Sequence, residues 1–259
     1  MTLDVSGAAE RTGTSDLSGQ VALVAGGGDE SGTEIARQLS SRGATVALCN
    51  VDSKVLELLV GNMGAESGNA IAGTTERVQA MSNAVSRVRA QLGKIDILVN
   101  NASGADRFFP KLSVDEFHEA LDATVTRSYE LLHEAIPAMR EKRYGRIINI
   151  YGLSYLGWPI QPPLAASYAA MFGLTRSLAL ETAVDGITVN GVVKGDIAAT
   201  GLPAADAEKL ASEIPVRRMG TAADVAYAVT FFASPSAKYV TGQTLFVCGG
   251  KSAYFSMSV

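Results

Sequence analysis

Long apolar runs are missing from the sequence: no segment approaches the roughly 18 apolar residues that a membrane-spanning helix requires. Cysteine is scarce as well, with only Cys49 and Cys248, and these two lack the close spacing of a metal-binding or redox pair. We therefore expect neither a zinc site nor a disulfide scaffold, and we predict that both thiols are buried in strands.

An excess of basic charge is also absent. The formal net charge is −4, which gives no electrostatic reason to expect a nucleic acid or an anionic membrane as a partner. Residues 1–18 lack the basic region followed by an apolar stretch that marks a secretory signal. We predict a flexible leader over 1–18, a single domain over 19–259, and a cytoplasmic location.

Apolar residues make up 47% of the 259-residue chain, and they alternate between short β-branched runs and longer helical segments. Strands are predicted to begin near 21, 45, 69, 95, 146, 187 and 244, and helices to cover 32–42, 53–61, 76–92, 114–142, 164–184 and 221–233. Continuous apolar strands that alternate with helices favour a parallel sheet covered on both faces. The predicted fold is a Rossmann-type, doubly wound α/β domain with a seven-stranded parallel sheet.

Six segments resemble the classical short-chain dehydrogenase/reductase family in their order and spacing. They are "GQVALVAGGG", "IDILVNNAS", "GRIINI", "GLTRSLALE", "GITVNGVVKGDI" and "VTGQTLFVCGG". The resemblance covers about residues 20–250 and implies a fold in which ligands bind at the carboxyl ends of the strands. Because one fold supports many chemistries, each functional position has to be compared separately.

The first turn of the family reads T-G-x-x-x-G-x-G, and its glycines let the backbone approach the diphosphate of the cofactor. Here the first and last glycines are kept as Gly26 and Gly32, but the middle one is replaced by Glu30. Asp29 makes the turn still more acidic. Like charges a few Å apart repel by about 1 kcal/mol in water and by more when partly buried, so we expect this chain to bind no NAD.

The remaining cofactor positions are altered or only weakly defined. The family's ribose-binding Asp after the second strand is replaced by Asn50, with Asp52 two residues later, and the Asp beside the adenine aligns with Gly73. Asn101, in the "NNAS" segment, is predicted to brace neighbouring strands. Lys194 replaces a proline that lies beneath the nicotinamide in the family.

We hypothesise that Lys194 points into the cofactor cleft and pairs with Glu30 or Asp29. Such a pair would fill the cleft from within.

The resemblance also implies four catalytic residues. A Tyr transfers the substrate proton, a Lys lowers the pKa of that phenol, a Ser orients the carbonyl, and an Asn holds a relay water. The Asn position falls on Thr124 and the Ser position on Gly152. Ser154, two residues later, could replace the serine only if the loop were rebuilt.

The segment "LAASYAAMFGLTRSLALE" can be aligned in two ways, and both lack the lysine. If Tyr168 is the family tyrosine, Phe172 takes the lysine position and about four residues are deleted within the helix. Without that gap, Leu164 takes the tyrosine position and Tyr168 the lysine position. We favour the ungapped alignment because it also matches Gly173. A phenol with a pKa of about 10 and no ammonium neighbour is a poor acid–base group at neutral pH.

Two smaller groups of residues are interpreted as structural. His118 and His133 lie on the predicted helix 114–142 without a cluster of other metal ligands, so no metal site is expected. An aromatic group surrounds the substrate cleft, and we interpret it as core packing, with a site for an aromatic ligand as the alternative. Its members are Tyr151, Tyr155, Trp158 and Tyr168.

Members of the family usually assemble through two long helices and the last strand, here 114–142, 164–184 and the strand in "TGQTLFV", and these segments keep their apolar residues. We therefore predict a non-catalytic subunit, without a cofactor of its own, in a heterotetramer with an active, NAD-dependent paralogue. A hydroxyacyl-CoA type of dehydrogenase is one candidate for that partner. Two alternatives stay open: an NAD(P)-dependent oxidoreductase with a rebuilt site that uses Tyr168, Tyr151 or Ser154, and a ligand-binding regulatory module.

Overall fold

The computed structural model describes residues 16–49, 71–74, 81–102, 113–157 and 161–256. Seven parallel strands within these ranges form one sheet in the order β3-β2-β1-β4-β5-β6-β7, as predicted. The chain changes direction across the sheet between β1 and β4, which is where doubly wound folds open a crevice for ligands. The strands are β1 (Val21–Ala25), β2 (Thr45–Cys49), β3 (Ile71–Thr74), β4 (Ile97–Asn101), β5 (Gly145–Gly152), β6 (Ile187–Lys194) and β7 (Thr244–Val247).

Most helices lie close to where the sequence predicts them, but the two helices over 204–213 and 251–256 were not predicted. They are α1 (Glu30–Ser41), α2 (Met81–Leu92), α3 (Val114–Leu121), α4 (Arg127–Lys142), α5 (Pro162–Thr182), α6 (Ala204–Glu213), α7 (Ala222–Ala233) and α8 (Lys251–Ser256). A π-helical turn over Asp122–Thr126 joins α3 to α4, so the predicted helix 114–142 is almost continuous. The predicted helix over 53–61 lies outside the described residues. Among the helices in the described ranges, none is long and apolar enough to cross a membrane.

Two hydrophobic cores, one on each face of the sheet, hold these layers together. On one face, α1 and α7 pack side chains such as Ile35, Leu39 and Phe232 against the strands. On the other face, α2, α4 and α5 contribute apolar residues such as Leu131 and Leu178. Side chains of a parallel sheet alternate between its faces, so strands that are apolar throughout require helices on both sides.

The start of the domain lies earlier than predicted. Leu17 is fully buried in one of the cores, and its backbone N–H donates to Arg42 O at 3.0 Å. Asp16 accepts a hydrogen bond from Ser234 Oγ at 3.0 Å. Residues 16–18 therefore belong to the packed domain rather than to a flexible leader, while residues 1–15 of that predicted leader lie outside the described residues.

Candidate functional site

The carboxyl ends of neighbouring strands gather the predicted site residues along one edge of the sheet. Asn101, Gly152 and Lys194 are the last residues of β4, β5 and β6, and the glycine-rich turn follows β1. Helix α5 supplies Leu164 and Tyr168 to the same edge, where both join a cluster with residues of β5 and β6. These residues therefore lie at the carboxyl edge, where the resemblance places the ligand site.

Tyr168 fills the space beside Gly152. The Tyr168 side chain is fully buried, and a Cβ atom built on Gly152 would lie 2.8 Å from Tyr168 Cε2. Carbon atoms attract one another best at about 3.5–4.0 Å, so a serine at position 152 would force the ring to move. The position aligned with the catalytic Ser is thus a hollow that this tyrosine ring occupies.

Tyr151, the residue before Gly152, is also fully buried. Its hydroxyl lies 3.3 Å from Thr244 Oγ1 at the start of β7. The same hydroxyl would lie 2.7 Å from a Cβ atom on Gly191, which shows how closely the side chain packs on β6. Burial raises the pKa of Tyr151 to about 12, so this phenol is poorly matched to acid–base work at neutral pH.

The aromatic group extends from Tyr151 on β5 to Phe246 on β7, the last strand in the order of the sheet. The Tyr155 ring meets Tyr151 edge-on with a centroid separation of 5.7 Å, and it stacks on Phe172 at 5.3 Å and on Phe246 at 6.1 Å. Aromatic pairs attract at centroid distances of about 4.5–7 Å. Tyr151 and Tyr168 are fully buried, which agrees with their interpretation as core packing, whereas Tyr155 is only partly buried.

Trp158 lies outside the described residues. The sequence indicates Phe172 only as an alternative lysine position and gives no sign that Phe246 joins the aromatic group. No local pattern links Phe246, on β7, to a turn that precedes it by some 90 residues.

The other two of the four catalytic positions, Leu164 and Thr124, are also buried. Leu164 is buried and apolar. Thr124 is fully buried in the π-helical turn, and its Oγ1 has no hydrogen-bond partner within the described part of the chain. Ser154 is only half-buried, in a 3₁₀ turn over Leu153–Leu156. None of these side chains supplies a group that titrates near neutral pH.

At the other end of this edge, the chain caps the N-terminus of α1 with its own carboxylate. Asp29 is the N-cap residue, and its Oδ1 accepts from Gly32 N at 2.6 Å and from Asn101 Nδ2 at 2.9 Å. The backbone N–H groups of a helix N-terminus are the groups that bind phosphate in dinucleotide folds. Here Gly32 N–H already has an anionic acceptor.

Glu30, the first residue of α1, contacts a distant loop. Its Oε1 accepts from Thr200 N at 2.6 Å, and Thr200 lies in the segment between β6 and α6. Hydrogen bonds from the side chain and backbone of Thr200 lower the pKa of Glu30. Sequence reasoning missed Thr200 because it lies 170 residues from Glu30 and carries no motif of its own.

Lys194 pairs with Asp29, as hypothesised, but Glu30 has the other partner just described. Lys194 Nζ lies 3.9 Å from Asp29 Oδ2, and the lysine side chain is 12% exposed. A diphosphate in this turn would therefore meet two carboxylates and donors that these carboxylates already engage. The residues do not fit that group.

The two asparagines at the end of β4 brace neighbouring elements, as predicted for Asn101. Asn101 Nδ2 donates to Gly26 O at 3.0 Å, which ties β4 to the glycine-rich turn. Asn100 Nδ2 donates to Asn149 Oδ1 at 3.2 Å, and Asn149 Nδ2 donates in turn to Thr175 Oγ1 on α5 at 2.9 Å. These hydrogen bonds stabilise the fold.

The remaining predicted positions give little sign of a site. Gly73 pairs with Leu48 in the register of β2 and β3, and Asn50 lies outside the described residues, as does Asp52. His118 and His133 are exposed, and the described ranges hold no group of three potential metal ligands among His, Cys, Asp and Glu. Both cysteines are buried, as predicted, but only Cys49 lies in a strand, β2, whereas Cys248 follows the end of β7.

Comparison with known proteins agrees with the fold and with the resemblance. Residues 31–252 match the family model described as enoyl-(acyl carrier protein) reductase. Among solved structures, levodione reductase superposes with a TM-score of 0.85 at 26% identity, covering 91% of this chain and 98% of that chain. A Serratia marcescens short-chain dehydrogenase/reductase mutant gives a TM-score of 0.84 at 29% identity over 92% and 99% of the two chains.

Two curated relatives extend over almost the whole chain. Subunit BbsC of the (2S)-((R)-hydroxy(phenyl)methyl)succinyl-CoA dehydrogenase of Thauera aromatica is 44% identical, covering 95% of this chain and 99% of the relative. The 3-oxoacyl-(acyl-carrier-protein) reductase FabG of Haemophilus influenzae is 35% identical, with coverages of 90% and 98%. On these matches and on its strand order, the chain belongs to the short-chain dehydrogenase/reductase family.

Proposed function

We propose that this chain is a non-catalytic subunit that assembles with, and stabilises, a catalytically intact short-chain dehydrogenase paralogue. The observation that carries the proposal is the contact between Tyr168 and Gly152, because a buried ring occupies the hollow beside the serine position. A site of this kind has no serine hydroxyl at position 152 to orient a carbonyl and no phenol–ammonium pair.

The turn between β1 and α1, where the family binds its cofactor, supports the same proposal. Asp29 and Glu30 place two carboxylates in the turn that would have to accept an anionic diphosphate. We infer that this chain binds no NAD and that NAD belongs to the active partner. A rebuilt active site based on Tyr151 is disfavoured, because burial holds the pKa of that phenol at about 12.

The first assembly surface we propose is the outer face of α5 together with α4. Gly173 lies in the middle of α5, and a Cβ atom there would meet nothing within 4 Å. An exposed glycine inside a helix costs about 1 kcal/mol relative to alanine, and the isolated chain gains no packing from it. Leu180 and Val184 follow on the same side and are 83% and 76% exposed. A helix of another subunit that packs closely at Gly173 would explain both features.

The second proposed surface is the lateral edge of the sheet, formed by β7. This strand pairs with β6 on one side and ends the strand order on the other. Unpaired strand edges with apolar side chains require cover. Leu245 and Phe246 on β7, with Tyr227 and Phe231 on α7, are exposed apolar residues that line a groove of about 420 Å³.

The relative from Thauera aromatica narrows the proposal. Its name describes one subunit of a dehydrogenase that acts on a (hydroxy(phenyl)methyl)succinyl-CoA. We propose that this chain has the corresponding place in a heterotetramer, so that its active partner oxidises a hydroxyacyl-CoA of that class with NAD.

The proposal is tested first on the isolated chain. Titration with NADH and with NADPH, followed by nicotinamide fluorescence, is expected to show no binding to this chain and clear binding to the intact paralogue. Tight binding together with turnover by this chain alone would refute the proposal and favour an active enzyme with a rebuilt site. Tight binding without turnover would refute it in favour of a regulatory module.

The assembly itself is tested by co-expression with the paralogue, with the mass of the complex determined by light scattering. The expected mass is that of a heterotetramer. Gly173→Leu is expected to prevent assembly while the isolated variant remains folded, because leucine is a good helix former. Glu208→Leu, on the exposed face of α6, is the matched control and should assemble normally. Equal assembly of both variants would contradict the α5 surface.

A further inference from the structure

The turn between β1 and α1 places two carboxylates against the kinds of group that bind phosphate. Asp29 accepts from the helix N-terminal N–H of Gly32 at 2.6 Å and lies 3.9 Å from the Lys194 ammonium. Glu30 accepts from the backbone N–H of Thr200 at 2.6 Å. Backbone amides at a helix N-terminus, a lysine and a loop amide together resemble a diphosphate cradle, and here the anions are covalently part of the chain.

The pattern of glycines in this turn supports a substitution rather than a general loss. A Cβ atom on Gly26 would lie 2.5 Å from Asn101 O, and one on Gly32 would lie 2.5 Å from Gly26 O. Those two glycines are needed for internal packing, and Gly26 also has a φ of +76°. Position 30 differs, because the Glu30 side chain is exposed and reaches a loop amide. Glycine is therefore kept where the fold requires it and replaced where the side chain is exposed and reaches a neighbouring loop.

The contact made by Glu30 ties two distant elements together. Residues 195–203 connect the carboxyl end of β6 to α6. Lys194, directly before this loop, is held by Asp29, and Thr200 within it is held by Glu30. The two carboxylates thus fasten both the start and the middle of the loop to the N-terminus of α1.

We propose that Asp29 and Glu30 act as a built-in anion that takes the place of the dinucleotide diphosphate and holds the 195–203 loop against α1 without any ligand. This inference deepens the proposed function, since it rests on the chain having no cofactor of its own. It explains how a subunit without cofactor keeps this loop fixed. It requires only the chain itself and not the partner.

Hydrogen–deuterium exchange on the isolated chain tests whether Glu30 holds the loop. Glu30→Ala is expected to raise the exchange of the Thr200 amide and its neighbours about three- to tenfold, since a charge-assisted hydrogen bond at an exposed position is lost. Glu34→Ala is the matched control: Glu34 is one turn along α1 and pairs with Arg37 at 2.6 Å, so the loop should not change. Equal loop exchange in the two variants overturns the proposal.

A second measurement tests whether the carboxylates replace a diphosphate. In the double variant Asp29→Ser with Glu30→Gly, serine keeps an N-cap for α1 and the motif glycine returns. Millimolar inorganic pyrophosphate is expected to lower loop exchange and raise the melting temperature of this variant, while wild type does not respond. A folded double variant that ignores pyrophosphate overturns the proposal, as does a wild type that binds it equally well. If the double variant does not fold, the same measurement is made on Glu30→Gly alone, which leaves the Asp29 cap intact.

These outcomes are separable from the proposed function. Exchange and pyrophosphate binding are measured without the paralogue, whereas assembly is measured with it. A failed assembly experiment therefore leaves the built-in anion standing, and an unresponsive loop leaves the assembly proposal standing.

Discussion

The two ends of the carboxyl edge are filled in opposite ways. The aromatic end, defined by Tyr151, Tyr155, Tyr168, Phe172 and Phe246, packs rings against β5, β6 and β7. The ionic end, defined by Asp29, Glu30 and Lys194 with their partners Asn101 and Thr200, is held by hydrogen bonds and an ion pair. Both ends lie where the family binds its substrate and cofactor.

The difference follows from what each end has to satisfy. The aromatic end is surrounded by side chains and by glycines such as Gly152 and Gly191, whose hollows are best filled by large apolar groups. The ionic end presents backbone N–H groups at the start of α1 and an ammonium from Lys194, and donors of this kind require acceptors. Volume is filled by rings at one end and donors are satisfied by carboxylates at the other. The two ends should therefore respond to different perturbations.

The largest effect is expected from a charge placed in the aromatic end. Tyr168→Lys puts the family's lysine into a fully buried position, and a buried ammonium is strongly disfavoured. We expect a loss of about 3–5 kcal/mol in the free energy of unfolding, measured by urea denaturation at pH 7. The loss should shrink at higher pH, because burial lowers the pKa of a lysine and its neutral form is then reached more easily.

Tyr168→Phe is the control for that variant, since it keeps the ring and removes only the hydroxyl. It should cost about 0.5–1.5 kcal/mol. If lysine is tolerated as well as phenylalanine, water reaches this position and the aromatic end is not a closed core.

Overpacking should produce the next largest effect. Gly152→Ser adds a Cβ atom 2.8 Å from the Tyr168 ring and buries a hydroxyl, so we expect a loss of about 2–3 kcal/mol in unfolding free energy. The loss should become smaller in a Tyr168→Leu background, where the ring no longer occupies the hollow. Strictly additive losses in the double variant would show that the two positions do not compete for the same space.

Alkaline pH should also act on the aromatic end. Burial holds the pKa of Tyr151 at about 12, against about 10 in an unfolded chain. Because the folded pKa is raised, the stabilisation is complete below pH 10 and is lost as the pH rises through 12, with about 2 kcal/mol lost by pH 12. Urea denaturation between pH 9 and pH 12 measures this loss. Tyr151→Phe should remove this part of the alkaline destabilisation, and an unchanged alkaline profile in that variant would contradict the assignment.

Sequence patterns predicted the fold almost completely, and the part of the site that depends on strand ends. Parallel strands end at one edge, so the meeting of Asn101, Gly152 and Lys194 follows from topology once the strands are known. The ion pair of Lys194 with Asp29 or Glu30 was hypothesised for the same reason, because the turn after β1 and the end of β6 lie along the same carboxyl edge.

What could not be predicted depends on how loops and ring faces settle after the sheet forms. The hydrogen bond from Thr200 N–H to Glu30 joins residues 170 apart in the sequence. Nothing near Thr200 in the sequence indicates that it is a partner of Glu30. The stacking of Tyr155 on Phe246 likewise depends on the rotamers of both rings. The boundary of the leader was misplaced because one apolar residue, Leu17, is too weak a pattern to indicate burial.

Acid is expected to affect the ionic end, with the smallest change in free energy. Hydrogen bonds from Thr200 lower the pKa of Glu30, so the stabilisation is present above about pH 4.3, the ordinary glutamate pKa, and is lost as the pH falls through the lowered value. Because Glu30 is exposed, Glu30→Gln should cost less than about 0.5 kcal/mol at pH 7. Urea denaturation at pH 7 and at successively lower pH measures this cost, and the difference between wild type and variant should shrink as the pH falls through the lowered pKa of Glu30.

Tyr151→Phe provides the contrast for the acid experiment, since its own cost should be the same at pH 7 and at pH 3. Parallel behaviour of the two variants would show that both ends are stabilised by packing alone. An effect of Glu30→Gln that does not shrink as the pH falls would mean that the glutamate acts through its shape. The charge of the built-in anion would then not be what holds the loop, and the distinction between the two ends would rest on Asp29 and Lys194 only.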